Sequence, residues 1–135
     1  MNNNNKNSKN NNNTGTIIAL RGSVVDAKFT RKLPEISNLL QARDVFFETI
    51  LHIDANTVRG IALTSTQGLQ RNDQIIDQGS PLKVPVGRQL LGRMFNVFGQ
   101  TIDLAEEIKV KQKRSIYNHS PALSERSTEI GIFET

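Results

Sequence analysis

Apolar and polar positions along this chain follow mostly a period of two. Residues 16–30 are rich in isoleucine and valine and predict a long strand interrupted at Gly22, where a bulge or sharp bend is expected. Beyond Gly22, Val25, Ala27 and Phe29 alternate with Asp26 and Lys28, as in a strand with one buried face and one wet face. Such alternation favours an antiparallel or barrel setting. Leu33-Pro34-Glu35-Ile36 opens a connection in which a short helical turn through Leu39-Leu40 is expected.

Residues 45–53 form the next predicted strand, with Phe47, Thr49, Leu51 and Ile53 on one face and Phe46, Glu48, Ile50 and His52 on the other. Asp54-Ala55-Asn56 supplies turn chemistry. Residues 57–64 return as a third strand, Val58, Gly60 and Ala62 on one face and Arg59, Ile61 and Leu63 on the other, so the two read as a hairpin. A turn at 65–68, a short strand at 74–77, a break at Gly79-Ser80-Pro81 and an alternating Leu82, Val84, Val86 segment broken by Pro85 complete the pattern. Four or five short strands with no long helix between them predict a mainly β fold, a small closed antiparallel β-barrel, because closure removes exposed edges.

The period changes at Gly87. Leu90 or Leu91, Met94, Phe95 and Phe98 recur at steps of three and four, which predicts a short helix over 88–97 with Gly99 capping its end. From Gln100 on, Glu106-Glu107, then Lys109, Lys111, Lys113 and Arg114, then His119-Ser120-Pro121 read as an extended linker. The expected organisation is a disordered tail at 1–13, a barrel at 14–86, and a short helix with linker at 87–135.

The tail is almost entirely asparagine, relieved by Lys6, Ser8 and Lys9, and has too little apolar surface to offset the entropy of ordering it. It contains no arginine and no amphipathic period, so it does not read as a mitochondrial targeting peptide. The rest of the 135 residues can bury one core, and 36% hydrophobic with 22% charged content places the chain in the soluble globular class. No run nears the roughly 20 apolar residues of a membrane span, so any membrane link runs through partners. Without cysteine there are no disulfides, thiolate metal sites or thiol catalysis. A charge of +4 is spread along the chain, with two lysines in the tail, and does not form the stripe expected of a nucleic-acid binder.

Gly87-Arg88-Gln89-Leu90-Leu91-Gly92-Arg93-Met94 imitates a phosphate-binding loop in glycine spacing, but such a loop needs lysine and then a hydroxyl after the second glycine, where this chain has Arg93 and Met94. His52 and His119, the only histidines, lack company for a metal site, and His52 falls on the wet face of its strand. The basic run 109–114 is offset by Glu106 and Glu107 and has only Tyr117 near it as a stacking surface, so it reads as a solvated linker. No catalytic, cofactor-binding or metal-ligating residue is assigned.

Gly15-Thr16-Ile17-Ile18, Gly22-Ser23-Val24-Val25-Asp26, Leu33-Pro34-Glu35-Ile36, Asn56-Thr57-Val58-Arg59-Gly60-Ile61-Ala62, Thr66-Gln67-Gly68-Leu69 and Val84-Pro85-Val86-Gly87 follow one another along the chain. Leu91-Gly92-Arg93-Met94-Phe95-Asn96-Val97-Phe98-Gly99, Ile102-Asp103, Pro121-Ala122 and Ser127-Thr128 continue the series. In this order the segments resemble the beta subunit of F-type ATP synthases, in its amino-terminal β-barrel region. The family more often has Gly-Pro-Val-Val-Asp at the second segment, and Arg21 with Phe133-Glu134-Thr135 looks closer to the divergent, sodium-translocating type of bacterial branch.

The resemblance implies a crown-forming barrel beside equivalent barrels of alternating alpha and beta subunits, a role in assembly. The parent complex would couple ATP synthesis or hydrolysis to cation translocation, lying in the cytoplasm against the inner face of the cell membrane and touching the membrane only indirectly. ATP or ADP and magnesium belong to the domain that family members carry beyond the Glu134-Thr135 equivalent, so no cofactor residue carries over and the chain alone is expected to be no enzyme. Ile130, Ile132 and Phe133 are expected to lack the domain they normally pack against, leaving the last residues mobile. The competing expectation is a free-standing basic barrel that holds single-stranded nucleic acid, without the family's alpha and beta partners.

Overall fold

A computed structural model of the chain describes residues 13–103, 106, 108, 110, 112–120 and 122–125. The tail residues 1–12, Lys109, Lys111, and Ile130, Ile132 and Phe133 lie outside the described residues, and with them the expectations of a disordered tail and a mobile end. Six strands close into an antiparallel barrel: β1 (Thr14–Arg21), β2 (Val24–Phe29), β3 (Leu39–Ala42), β4 (Val45–His52), β5 (Thr57–Ala62) and β6 (Gln74–Asp77). Their hydrogen-bonded order is β1-β2-β5-β4-β3-β6, and β6 returns to β1, so no strand of the barrel has a free edge. A separate ribbon pairs β7 (Lys83–Pro85) with β8 (Lys113–Ser115).

Alternation fills the interior. Val25, Ala27 and Phe29 of β2 meet Leu40 and Ala42 of β3, Val45 and Phe47 of β4, and Ile17, Val58 and Ile75, all buried in one cluster. Each large side chain so buried contributes roughly 1.5–3 kcal/mol. Two bulges adjust the pattern. In β1 the register shifts between Ile17 and Ala19, so Leu20 faces Val25 and packs on the core. In β4 it shifts between Thr49 and Leu51, which ends the inward run Val45, Phe47, Thr49 and turns Leu51 out to face solvent beside Arg59.

Three local expectations differ from the structure. The long strand over 16–30 is two strands, β1 and β2, reversing at Gly22-Ser23 with Arg21 paired to Val24. Gly22 alone in that turn has positive φ, at 59°, the pattern of a type II′ hairpin, so its glycine marks a reversal of the chain and not a bend within one strand. Leu39-Leu40 is not a helical turn but the start of β3, because Leu40 is needed inside the barrel and its backbone pairs with both β4 and β6.

The short helix over 88–97 is reduced to a 3₁₀ turn at Arg88–Leu90. Leu91 is already extended, Gly92 sits at φ 74°, and the chain then folds into a tight reversal in which Phe95 bridges Thr101. Asn96 holds that reversal, its Oδ1 accepting from the N–H groups of Phe98 and Gln100 at 3.0 Å each. Leu91, Met94 and Val97 remain exposed, so the spacing of three and four does not trace one buried helical face. Gly99, expected as a helix cap, instead lies against the ring of Pro85.

Candidate functional site

The outer faces of β2, β5 and β4 carry the features most suited to meeting another molecule. Register places Asp26 opposite Arg59, and Ile61 between Val24 and Glu48. Asp26 points away from the core yet is only 5% exposed, because two arginines cover it. Arg59 donates Nε–H to Oδ1 at 2.7 Å and Nη2–H to Oδ2 at 2.9 Å, and Arg21 adds Nη2–H to Oδ2 at 3.1 Å. The Arg59 hydrogen bonds, then the attraction of both cations, hold the Asp26 carboxyl below the usual carboxylate range against an opposing cost of burial, and the same pairing raises Arg59. This wall is therefore electrostatically settled before any partner arrives.

Around that pair the surface turns apolar. Ile50, Leu51, Ile53, Ile61 and Leu63 are all exposed on β4, β5 and the residues that follow them. Phe46, expected on the same outer face as Ile50, is half-buried because Phe98 covers it, ring centroids 5.1 Å apart. Several aliphatic side chains exposed together on one barrel wall are the kind of surface that marks a protein contact.

The phosphate-loop imitation is taken apart by the same geometry. Gly87 stands at φ 142°, ψ 164° ahead of the 3₁₀ turn. Arg93, at the position where a phosphate loop carries lysine, forks onto the carboxylate of Asp103 and also donates Nη2–H to the carbonyl of Glu106 at 2.8 Å. Its hydrogen bonds to Asp103 raise its pKa further, so it acts as a strut between 93 and 106. His52 and His119 are both exposed, and the Nε2–H of His52 donates to the carbonyl of Pro34 at 2.7 Å. Among the described residues, no group of three or more His, Cys, Asp or Glu side chains is placed to hold a metal ion.

In the basic segment, Lys113 and Arg114 are exposed on β8. Tyr117 crosses to the barrel, where its hydroxyl donates to the carboxylate of Glu48, and that bond raises the phenol's pKa. Sequence reading missed the Asp26–Arg59 pairing, since alternation marks Asp26 only as wet and nothing local links it to a residue 33 positions on. Aligning the two strands by their apolar faces would have brought them opposite.

Comparison with known proteins bears on this wall and barrel. Residues 17–79 match the family described as ATP synthase alpha/beta family, beta-barrel domain. The chain is 46% identical over 123 residues to ATP synthase subunit beta 1 of Psychromonas ingrahamii and 47% identical over 123 residues to ATP synthase subunit beta 2 of Albidiferax ferrireducens. It is also 45% identical over 125 residues to ATP synthase subunit beta 2 of Syntrophotalea carbinolica. Each match takes in 90% of this chain but only 25%, 24% and 26% of the respective relative, so the chain spans about a quarter of their length. Among the described residues no helix is long and apolar enough to cross a membrane. The closed barrel and the match over 17–79 agree: this part of the chain is similar to the β-barrel domain of the ATP synthase alpha/beta family, in a chain similar over 90% of its length to ATP synthase beta subunits.

Proposed function

We propose that the chain acts as the amino-terminal assembly domain of an F-type ATP synthase beta subunit, docking beside alpha and beta subunits in a ring that couples ATP synthesis or hydrolysis to cation translocation. The observation that carries this reading is a barrel filled by its own side chains, with aliphatic residues left exposed on the β4 and β5 wall. Residues 14–86 form the assembly unit in this reading, and 87–135 lead toward the nucleotide-binding part of such a subunit. ATP or ADP and magnesium are then handled outside this chain, and residence on the inner face of a bacterial cell membrane follows from the complex.

The test mixes the purified chain with a purified bacterial ATP synthase alpha subunit and, separately, with magnesium ATP. Association with the alpha subunit, together with neither retention nor turnover of ATP by the isolated chain, is expected. Turnover of ATP by the chain alone, or no association at micromolar concentrations, would overturn the proposal.

A further inference from the structure

A second surface adjoins the β4 and β5 aliphatic wall at Phe46, in the angle between the barrel and the β7–β8 ribbon. A groove of about 1050 Å³ opens there. The barrel contributes Leu39 and Phe46, and Leu82, Pro85, Phe95 and Phe98 supply the facing side. The Phe46 and Phe98 rings, tilted by 36° against each other, join the two sides, and the hydroxyl of Tyr117 on Glu48 ties the segment after β8 back to the barrel.

The rim of this groove is cationic. Lys113 borders it, and Lys83 stands with Lys113 along a shallower extension past Leu82, where Gln41 and Gln78 add amide groups. Both lysines are exposed, and neither forms an ion pair with a described residue. The ribbon beside them has only two strands, so β7 and β8 each keep one edge with no strand against it among the described residues. An unpaired edge can accept an extended chain through main-chain hydrogen bonds while neighbouring pockets select its side chains.

We infer that this groove takes an extended peptide segment of a partner protein in which apolar side chains are interspersed with acidic ones. The apolar side chains cover the aromatic floor, and the carboxylates meet Lys83 and Lys113. Charge complementarity selects an acidic segment over a basic one and makes the encounter sensitive to salt. The inference is independent of the assembly role proposed for the β4 and β5 wall, and either can fail without the other.

The experiment uses the full 135-residue chain and a fluorescein-labelled ten-residue peptide of alternating leucine and glutamate, with an otherwise identical leucine and lysine peptide as control. Anisotropy is expected to show saturable binding of the glutamate peptide that weakens with salt, with NMR shift changes at Phe46, Phe95 and Phe98. The double variant K83E/K113E is expected to lose roughly tenfold in affinity and to prefer the lysine peptide, a reversal that a merely unfolded variant would not show.

Absence of saturable binding, equal binding of both peptides, or shifts confined to Ile50 and Ile61 would overturn the inference. So would binding that appears only after residues 126–135 are removed, which would give the groove to this chain's own segment. Tighter binding of oligothymidine than of the glutamate peptide at the same residues would assign the groove to nucleic acid instead.

Discussion

Arg59 grips both carboxylate oxygens of Asp26 across the β2–β5 pair, at 2.7 and 2.9 Å, while Arg21 reaches one of them from the end of β1. Asp26→Asn keeps the shape but removes the charge, leaving two arginines without their shared acceptor. The variant is expected to be about 1–3 kcal/mol less stable in urea titration at neutral pH. Because the folded carboxyl titrates below its unfolded value near 3.8, its contribution is complete above that value and is lost as pH falls from there through the lower folded pKa. Native and Asp26→Asn stabilities should therefore differ by a constant amount from roughly pH 5 to 8 and converge in acid. A gap that persists unchanged into strong acid would mean that the ion pair is not its source.

Gly15 sits where a methyl group has no room. A Cβ there would lie 2.6 Å from the carbonyl oxygen of Lys28 and 2.9 Å from the ring of Phe29, both in the neighbouring strand. Gly15→Ala must push β1 from β2 at the closure of the barrel, and a loss of about 1–3 kcal/mol is expected from such overpacking. Thermal and urea midpoints that match the native chain would show that β2 yields without cost.

Thr49 is fully buried, and its hydroxyl has no hydrogen-bond partner. Burying an unpaired hydroxyl costs free energy that a methyl group of similar shape does not. Thr49→Val is expected to stabilise the barrel by about 1 kcal/mol, read as a higher urea midpoint at an unchanged slope. A destabilised variant would show that the hydroxyl is satisfied in solution.

Period-two alternation makes β2, the inner face of β4 up to Thr49, β5 and the short β6 legible in the residues alone, since burying one strand face imposes that pattern directly. Position along the chain was harder to read. The hairpin at Gly22 looked like a kink because apolar alternation continues on both sides of it. Bulges at Ile17–Ala19 and Thr49–Leu51 leave no signature in composition, yet they decide that Leu20 faces in and Leu51 faces out. The β7–β8 ribbon joins Lys83 to Ser115 across the expected helix and much of the expected linker, a pairing that no local signal announces. Of the candidate surface, Ile50 and Ile61 were legible as outer-face positions, whereas the Arg59 grip on Asp26 depended on register.

Gly99 offers a local test of the segment beyond the barrel. Its φ of 76° favours glycine, and a Cβ would stand 2.2 Å from Pro85 Cδ. Gly99→Ala is expected to open the reversal between Phe95 and Thr101, so that the amides of Asn96 and Ile102, bonded to Gln100 and Met94, exchange faster. The barrel amides of β2 and β4 should keep their protection. Faster exchange throughout the barrel would instead make the reversal part of one cooperative unit with it.

Sedimentation of the chain with an ATP synthase alpha subunit, comparing the native protein with Ile61→Asp, examines the assembly role at its root. Ile61 is an exposed residue of the barrel wall, so aspartate there should leave folding intact while placing a charge in the contact. The account predicts a complex with the native chain and at least a roughly tenfold weaker one with Ile61→Asp. Complexes of equal strength, or none with either protein, would contradict it.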